Sequence, residues 1–218
     1  MDMDLGVARR SMINSQLKPN EVNDPAILDA FDAVPRELFV PKVKRGIAYV
    51  DEDIEVASGR FLLEPVVFGR LLVAAKIKPT DLVLDIGALT GYSTAILAHL
   101  ASAVVGIEED AALVEKAESR LGELEVINTA IVEGPLNAGK ADQGPYDVIF
   151  IEGAVDDVPQ ALLDQLKDGG RLLTVRRDGM QGRAHMITRN GDVFAARDLF
   201  DANSMGLPGF AKARAFTF

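Results

Sequence analysis

From Glu64 onward, short apolar segments alternate with helix-patterned ones, and this rhythm constrains the fold more than any other feature of the sequence. Pro65 opens a helical stripe of Val67, Phe68, Leu71, Leu72 and Ala75 that closes near Lys78-Pro79. Strands are predicted over residues 82–86, 103–107, 125–132, 146–151 and 171–175. Helices are predicted between them. One spans 91–100. The next is capped by Asp110, striped by Leu113, Ala117 and Leu121, and ended by Gly122. The last carries Pro159, Leu162, Leu163 and Leu166 and ends at Gly169-Gly170. Strand–helix alternation at this spacing builds a mostly parallel, doubly wound sheet. Candidate strands at 186–189, 193–199 and 214–218 have no helices between them and should form an antiparallel edge.

The first part of the chain has a different texture. Leu5, Ala8 and Met12 share a helical spacing that ends near Leu17-Lys18-Pro19. A second short helix has Asp24 as its cap, Pro25 at its first position and Ile27, Phe31 and Val34 as its buried stripe. The expected division is an N-terminal helical, substrate-facing subdomain over 1–60 and a sheet domain over 61–218. The N-terminal helix is too short to stand alone and should pack on the sheet.

Charge and composition exclude several functions. Asp and Glu number 33 against 23 Lys and Arg, a net charge of −10 that repels phosphate backbones. Nucleic acid is therefore not an expected partner. The absence of cysteine rules out disulfides, thiolate nucleophiles and cysteine metal sites, and two histidines leave little for a histidine cluster. The opening Met-Asp-Met-Asp-Leu-Gly has neither the basic nor the apolar part of a signal peptide, and no apolar run approaches a membrane span. A cytoplasmic location away from membranes is expected.

The chemistry concentrates where the strand Leu82–Ile86 runs into Gly87-Ala88-Leu89-Thr90-Gly91 and then a helix. Such a turn brings backbone close to a ligand and aims a helix N-terminus at it. The third glycine of a dinucleotide fingerprint is missing, and Asp85 precedes the turn. Glu108, at the end of the next strand, stands where a carboxylate can bind a ribose diol. This set suits S-adenosylmethionine, whose amine can meet Asp85 and whose ribose can meet Glu108. By themselves the glycines serve equally well in a tight turn, and Glu108 as a strand end.

Several blocks resemble the protein-L-isoaspartate O-methyltransferases. They are Ala8-Arg-Arg-Ser-Met12 with Gln16-Leu17, Val22-Asn-Asp-Pro25, Val34-Pro-Arg-Glu-Leu-Phe-Val-Pro41, Leu84-Asp-Ile-Gly-Ala-Leu-Thr-Gly-Tyr92, Val105-Gly-Ile-Glu108, Pro145-Tyr-Asp-Val-Ile149 and Leu166-Lys-Asp-Gly-Gly-Arg-Leu172. The N-terminal blocks are the specific ones; the others are widespread among S-adenosylmethionine enzymes. The resemblance implies a Rossmann-like α/β methyltransferase sheet behind a small helical subdomain. It also implies S-adenosylmethionine as methyl donor without a metal, and a protein or peptide carboxylate as acceptor, in repair of isoaspartyl residues. Cofactor-binding positions carried over are Asp85, Gly87, Ala88, Gly91 and Glu108, with Glu133 standing in for an acid that falls on Gly134.

The sequence departs from the family at its substrate motif, roughly G-Q-T-I-S-Q-P, which here reads Gly59-Arg60-Phe61-Leu62-Leu63-Glu64-Pro65. Phe61 and Leu63 replace the hydroxyls that would hold the acceptor carboxylate, and Ser58 replaces a histidine. Leu89 replaces the middle glycine of the cofactor turn. Arg60 is the one cation in the loop and a candidate partner for the acceptor carboxylate or for Glu64, which would otherwise repel it. Arg60, Leu63 and Glu64 are thus the candidate substrate residues, and slow transfer to isoaspartyl peptides is expected. Two rival readings remain at this level: a methyltransferase with a more apolar acceptor lined by Phe61, Leu62 and Leu63, and an inactive paralogue serving as a binding or scaffold protein. His99, His185, Tyr92 and the acidic clusters around Asp51–Asp53 read as packing or surface residues.

Overall fold

The computed structural model describes residues 4–179 and 181–212. Helix α1 (Leu5–Met12) is capped by the Asp4 carboxylate and continues as a wider π-helical turn to Leu17. In α2 (Pro25–Ala33), the Asp24 side chain accepts from the amides of Ala26 and Ile27, and Pro25 occupies the first turn. Between 41 and 64, where the sequence gives no clear period, the chain forms a 3₁₀ turn and a small hairpin of β1 (Ile54–Ala57) and β2 (Arg60–Leu62). This hairpin straddles residue 60.

Helix α3 (Pro65–Ala75) leads into β3 (Leu82–Ile86), followed by α4 (Tyr92–Leu100), β4 (Ala103–Glu108), α5 (Ala111–Glu123), β5 (Thr129–Glu133), β6 (Tyr146–Val155), α6 (Gln160–Leu163) and β7 (Leu166–Asp178). The strands β8 (Gln181–Asn190) and β9 (Val193–Asp201) complete a seven-stranded sheet of order β5-β4-β3-β6-β7-β8-β9. Five strands run parallel, and β8 and β9 add antiparallel at one edge.

Several boundaries differ from the sequence reading; β6 runs on to Val155 and β8 begins at Gln181. Residues 125–128 form a turn before β5, with Glu125 at a φ of 55°. The helix expected to reach Gly169 is a single turn, and β7 takes up Leu166 through Gly170. The backbone passes so closely there that a Cβ on Gly170 would lie 3.0 Å from the Tyr146 carbonyl. The expected strand at 214–218 lies outside the described residues.

Alternation along the strands decides which side chains share a face. Val83, Val148 and Phe150 join the larger core beneath α2, α3 and α4, whereas Leu84, Ile86, Ile149 and Ile151 enter the core on the other face. The N-terminal helices belong to the first core through Met12, Leu17, Ile27 and Phe31. Phe68 stands at its centre, with its ring centroid 6.0 Å from Phe31 and 6.1 Å from Phe150. The same alternation turns Asp85 of β3 and Glu152 of β6 toward this helical face.

Candidate active site

The strand order reverses at β3, so the carboxyl ends of β3, β4 and β6 frame the crevice where open α/β sheets bind ligands. Asp85 is wholly buried there. Its Oδ2 accepts from Ser93 Oγ at 2.8 Å and Thr94 Oγ1 at 2.5 Å, both on the first turn of α4. Its Oδ1 is buried without a partner. Burial raises the Asp85 carboxyl to about 6 despite those two hydroxyls, and the nearby Glu108 charge adds to the rise.

In the turn that follows, Gly87 and Gly91 adopt φ of 85° and 94°. A Cβ on Gly91 would meet Ala117 at 3.3 Å, so glycine here lets α5 pack against the turn. Leu89 takes a φ of 52°, a left-handed conformation unusual for leucine. The amides of Gly87 and Ala88 both donate to the Ile107 carbonyl, and the Leu89 amide donates to Glu108 Oε2 at 2.9 Å. Thr90 Oγ1 donates to the Phe39 carbonyl at 2.6 Å, tying the turn to the N-terminal segment.

Glu108 is fully buried and its carboxylate is saturated. Oε1 accepts from Arg60 Nη1 at 2.6 Å and from the amides of Glu109 and Asp110. Oε2 accepts from Arg60 Nη2 at 2.7 Å as well as from Leu89. Arg60 thus forms a bidentate pair with Glu108, 48 residues away in sequence, and not with Glu64. Ala88 is buried within the turn, while Glu133 lies opposite Glu108 on the outer strand β5 and is exposed.

The substrate motif divides. Leu63 is buried, and its carbonyl accepts from Arg36 Nη2 at 2.6 Å. Phe61 and Glu64 line a cavity of about 420 Å³ with Glu52, Asp53 and Met205. Burial, with Asp51, Asp53 and Glu52 around it, raises Glu64 to about 7.

Three residues the sequence did not single out complete the crevice. Arg36 is fully buried, donates through Nε to the Ala48 carbonyl, and lies 4.9 Å from the Tyr92 ring centroid. Glu152 is buried with Oε1 unpartnered; burial and the Asp85 charge push its carboxyl well up, against the pull of Arg36. Leu207 comes from the segment after β9. The unbroken apolar run Val148–Ile151 is the sequence signal that could have marked Glu152, a charge interrupting a strand buried on both faces.

The donor set suits S-adenosylmethionine by its chemistry: Asp85 has a buried oxygen without a partner that an amine could meet, and Glu108 is a buried carboxylate that a ribose diol could meet. Nothing among the described residues groups three metal-ligating side chains.

The family model described as protein-L-isoaspartate (D-aspartate) O-methyltransferase matches residues 8–200. A protein-L-isoaspartate O-methyltransferase of Koribacter versatilis is 39% identical over 165 residues, covering 76% of this chain and 74% of its own. That of Methylorubrum extorquens is 37% identical over 196 residues, covering 89% and 86%. Among solved structures, a protein-L-isoaspartate O-methyltransferase superposes with a TM-score of 0.81 at 24% identity, covering 92% of this chain and 66% of that one. A Plasmodium falciparum structure, described as a beta-aspartate methyltransferase in complex with S-adenosyl-L-homocysteine, gives 0.78 at 19% identity, covering 91% and 97%. These two structural likenesses concern the fold.

Proposed function

Because this chain belongs to the protein-L-isoaspartate (D-aspartate) O-methyltransferase family, we propose that it methylates the free carboxylate of isoaspartyl residues in proteins and peptides. The family match across residues 8–200 carries this reading. It supports neither an apolar acceptor nor a loss of chemistry.

S-adenosylmethionine, when bound, supplies a methyl group on a positively charged sulfur. The acceptor carboxylate is ionised at neutral pH and would take the methyl group as the S–C bond breaks and S-adenosylhomocysteine leaves as a neutral thioether, so the protein contributes position more than acid or base. Asp85 would hold the amine through its free Oδ1, with Glu152 as a second carboxylate at the same end, the ammonium favouring the charged form that burial disfavours. Glu108 would take the ribose diol, and Gly87, Ala88 and Gly91 would shape the turn around the cofactor. The acceptor would enter by the cavity at Phe61 and Glu64, where carboxylates raise the cost of bringing in another anion. Leu63 offers a carbonyl already held by Arg36 and no hydroxyl. Residues 1–60 would supply one wall for the acceptor.

No helix among the described residues is long and apolar enough to cross a membrane. A cytoplasmic location and damaged proteins as partners complete the proposal. The test is transfer of labelled methyl groups to an isoaspartyl peptide and to its ordinary aspartyl counterpart. The expected product is a base-labile ester on the isoaspartyl peptide alone, formed slowly. Absence of that ester, with folded protein and saturating donor, would overturn the reading.

A further inference from the structure

We propose that Arg60 and Leu207 occupy the ribose end of the cofactor site, so that the methyl donor enters only by displacing them and Arg60 sets its affinity. This rests on the functional reading above, which places the ribose at Glu108.

Both oxygens of Glu108 that a diol would use are taken by the two terminal nitrogens of Arg60, at 2.6 and 2.7 Å. A guanidinium offers two parallel N–H donors to a carboxylate, as a vicinal diol offers two O–H donors, so Arg60 stands in for the ligand. Glu108 keeps three backbone donors when Arg60 leaves, those of Leu89, Glu109 and Asp110. The carboxylate therefore remains a formed acceptor after the exchange.

The turn itself is roofed. A Cβ on Gly87 would lie 3.2 Å from a Leu207 methyl and 3.7 Å from Arg60 Nη2, so these two side chains lie directly over the closest approach to the turn. Leu207 is held there by a strap of residues 203–212 along the end of β6. The Leu207 amide donates to the Ala154 carbonyl, Ala154 donates to Met205, and Ser204 Oγ donates to Asp53 Oδ2 at 2.7 Å. Arg60 and Leu207 are both more than nine-tenths buried, and Glu108 is completely so.

The closed arrangement is also imperfect. Arg60 Nε is buried without a partner, which lowers the cost of releasing the guanidinium. A buried ion pair gives a small net gain over its separated, solvated or re-paired forms. The closed form is accordingly displaceable, and it reduces the apparent affinity by the fraction of molecules that are open.

The experiment is calorimetric titration of S-adenosylhomocysteine into the wild type, Arg60→Gln and Leu207→Ala, with circular dichroism and melting curves to verify folding. If about one molecule in ten or fewer is open, Arg60→Gln should bind about tenfold more tightly or better, and Leu207→Ala should also gain. Should Arg60→Gln fail to fold, the gain in Leu207→Ala decides the matter. Equal affinities in the wild type and the folded variants overturn the proposal and leave the assigned function standing. No binding by any folded variant at millimolar ligand overturns the assigned function and the proposal with it.

Discussion

Leu89 occupies a left-handed position in the cofactor turn, and its replacement separates backbone strain from packing. The side chain is 2% exposed and belongs to the larger core. Truncating a core leucine to alanine costs about 2–5 kcal/mol. At an ordinary backbone position glycine is worse than alanine by a further 0.5–1 kcal/mol or so, because it loses more freedom on folding. Here φ is 52°, where any Cβ crowds the carbonyl by about 1–2 kcal/mol, and alanine retains that crowding. Glycine escapes it. The two effects have opposite signs, so Leu89→Gly should equal Leu89→Ala in stability or exceed it by up to about 1.5 kcal/mol. The Leu89 amide that donates to Glu108 survives in both variants, which keeps the comparison clean. Urea unfolding followed by circular dichroism, with unchanged slopes, measures the difference. A glycine variant less stable than the alanine variant by about 1 kcal/mol or more would refute the strain argument.

Glu64 should make stability depend on pH. Its folded value near 7 lies above the unfolded value of 4.5, so the folded state holds more protons and stability falls as pH rises between them. The group is only half-buried, so the loss should be about 1 kcal/mol after solvent screening; Glu64→Gln should flatten the curve, and an unchanged slope would contradict the assignment. Restoring hydroxyls with Phe61→Thr and Leu63→Ser should raise isoaspartyl methylation by about two to four orders of magnitude, the effect of two hydrogen bonds to a charged group. The same pair should lower the melting temperature, because Leu63 is buried; wild-type turnover already equal to that of a family member that keeps the two hydroxyls would sink the expectation. Asp24→Ala removes the cap of α2 and should cost about 1 kcal/mol in denaturant unfolding, with no loss at all as the contrary result.

What could be read from sequence follows the range of the interactions involved. The strand Leu82–Ile86 and the capped helix α2 are set by local period and local capping, and both fall where the pattern puts them. The hairpin of β1 and β2 is built of strands of four and three residues, too short to show a period, and one of its buried positions is the charged Arg60. The short α6 yields to β7 because Gly169 and Gly170 bend within a strand and do not end a helix. Chain topology also explains how Asp85, Gly87 and Glu108 come together, since parallel neighbours share their carboxyl ends. The pairing of Arg60 with Glu108 joins the small hairpin to β4 of the large sheet, 48 residues on, and Leu207 arrives from beyond the last strand. Neither contact leaves a local trace, although Arg60, the one cation of its loop, and Glu108, the acid that ends β4, are each visible separately.

The antiparallel addition of β8 and β9 decides how the sheet meets other molecules in solution. An outermost strand presents unpaired backbone groups, and a flat apolar one invites edge-to-edge aggregation. On β9 the central residues Arg197 and Asp198 are exposed, and Asp201 closes the strand with a further charge. At the opposite margin β5 has only five residues and gives way to Gly134-Pro135, whose ring has no N–H to extend a ladder. Each margin thus carries its own deterrent, charge on one side and brevity on the other. If, as proposed, the chain acts on damaged proteins, whose loosened strands seek partners, these margins keep it from becoming their template.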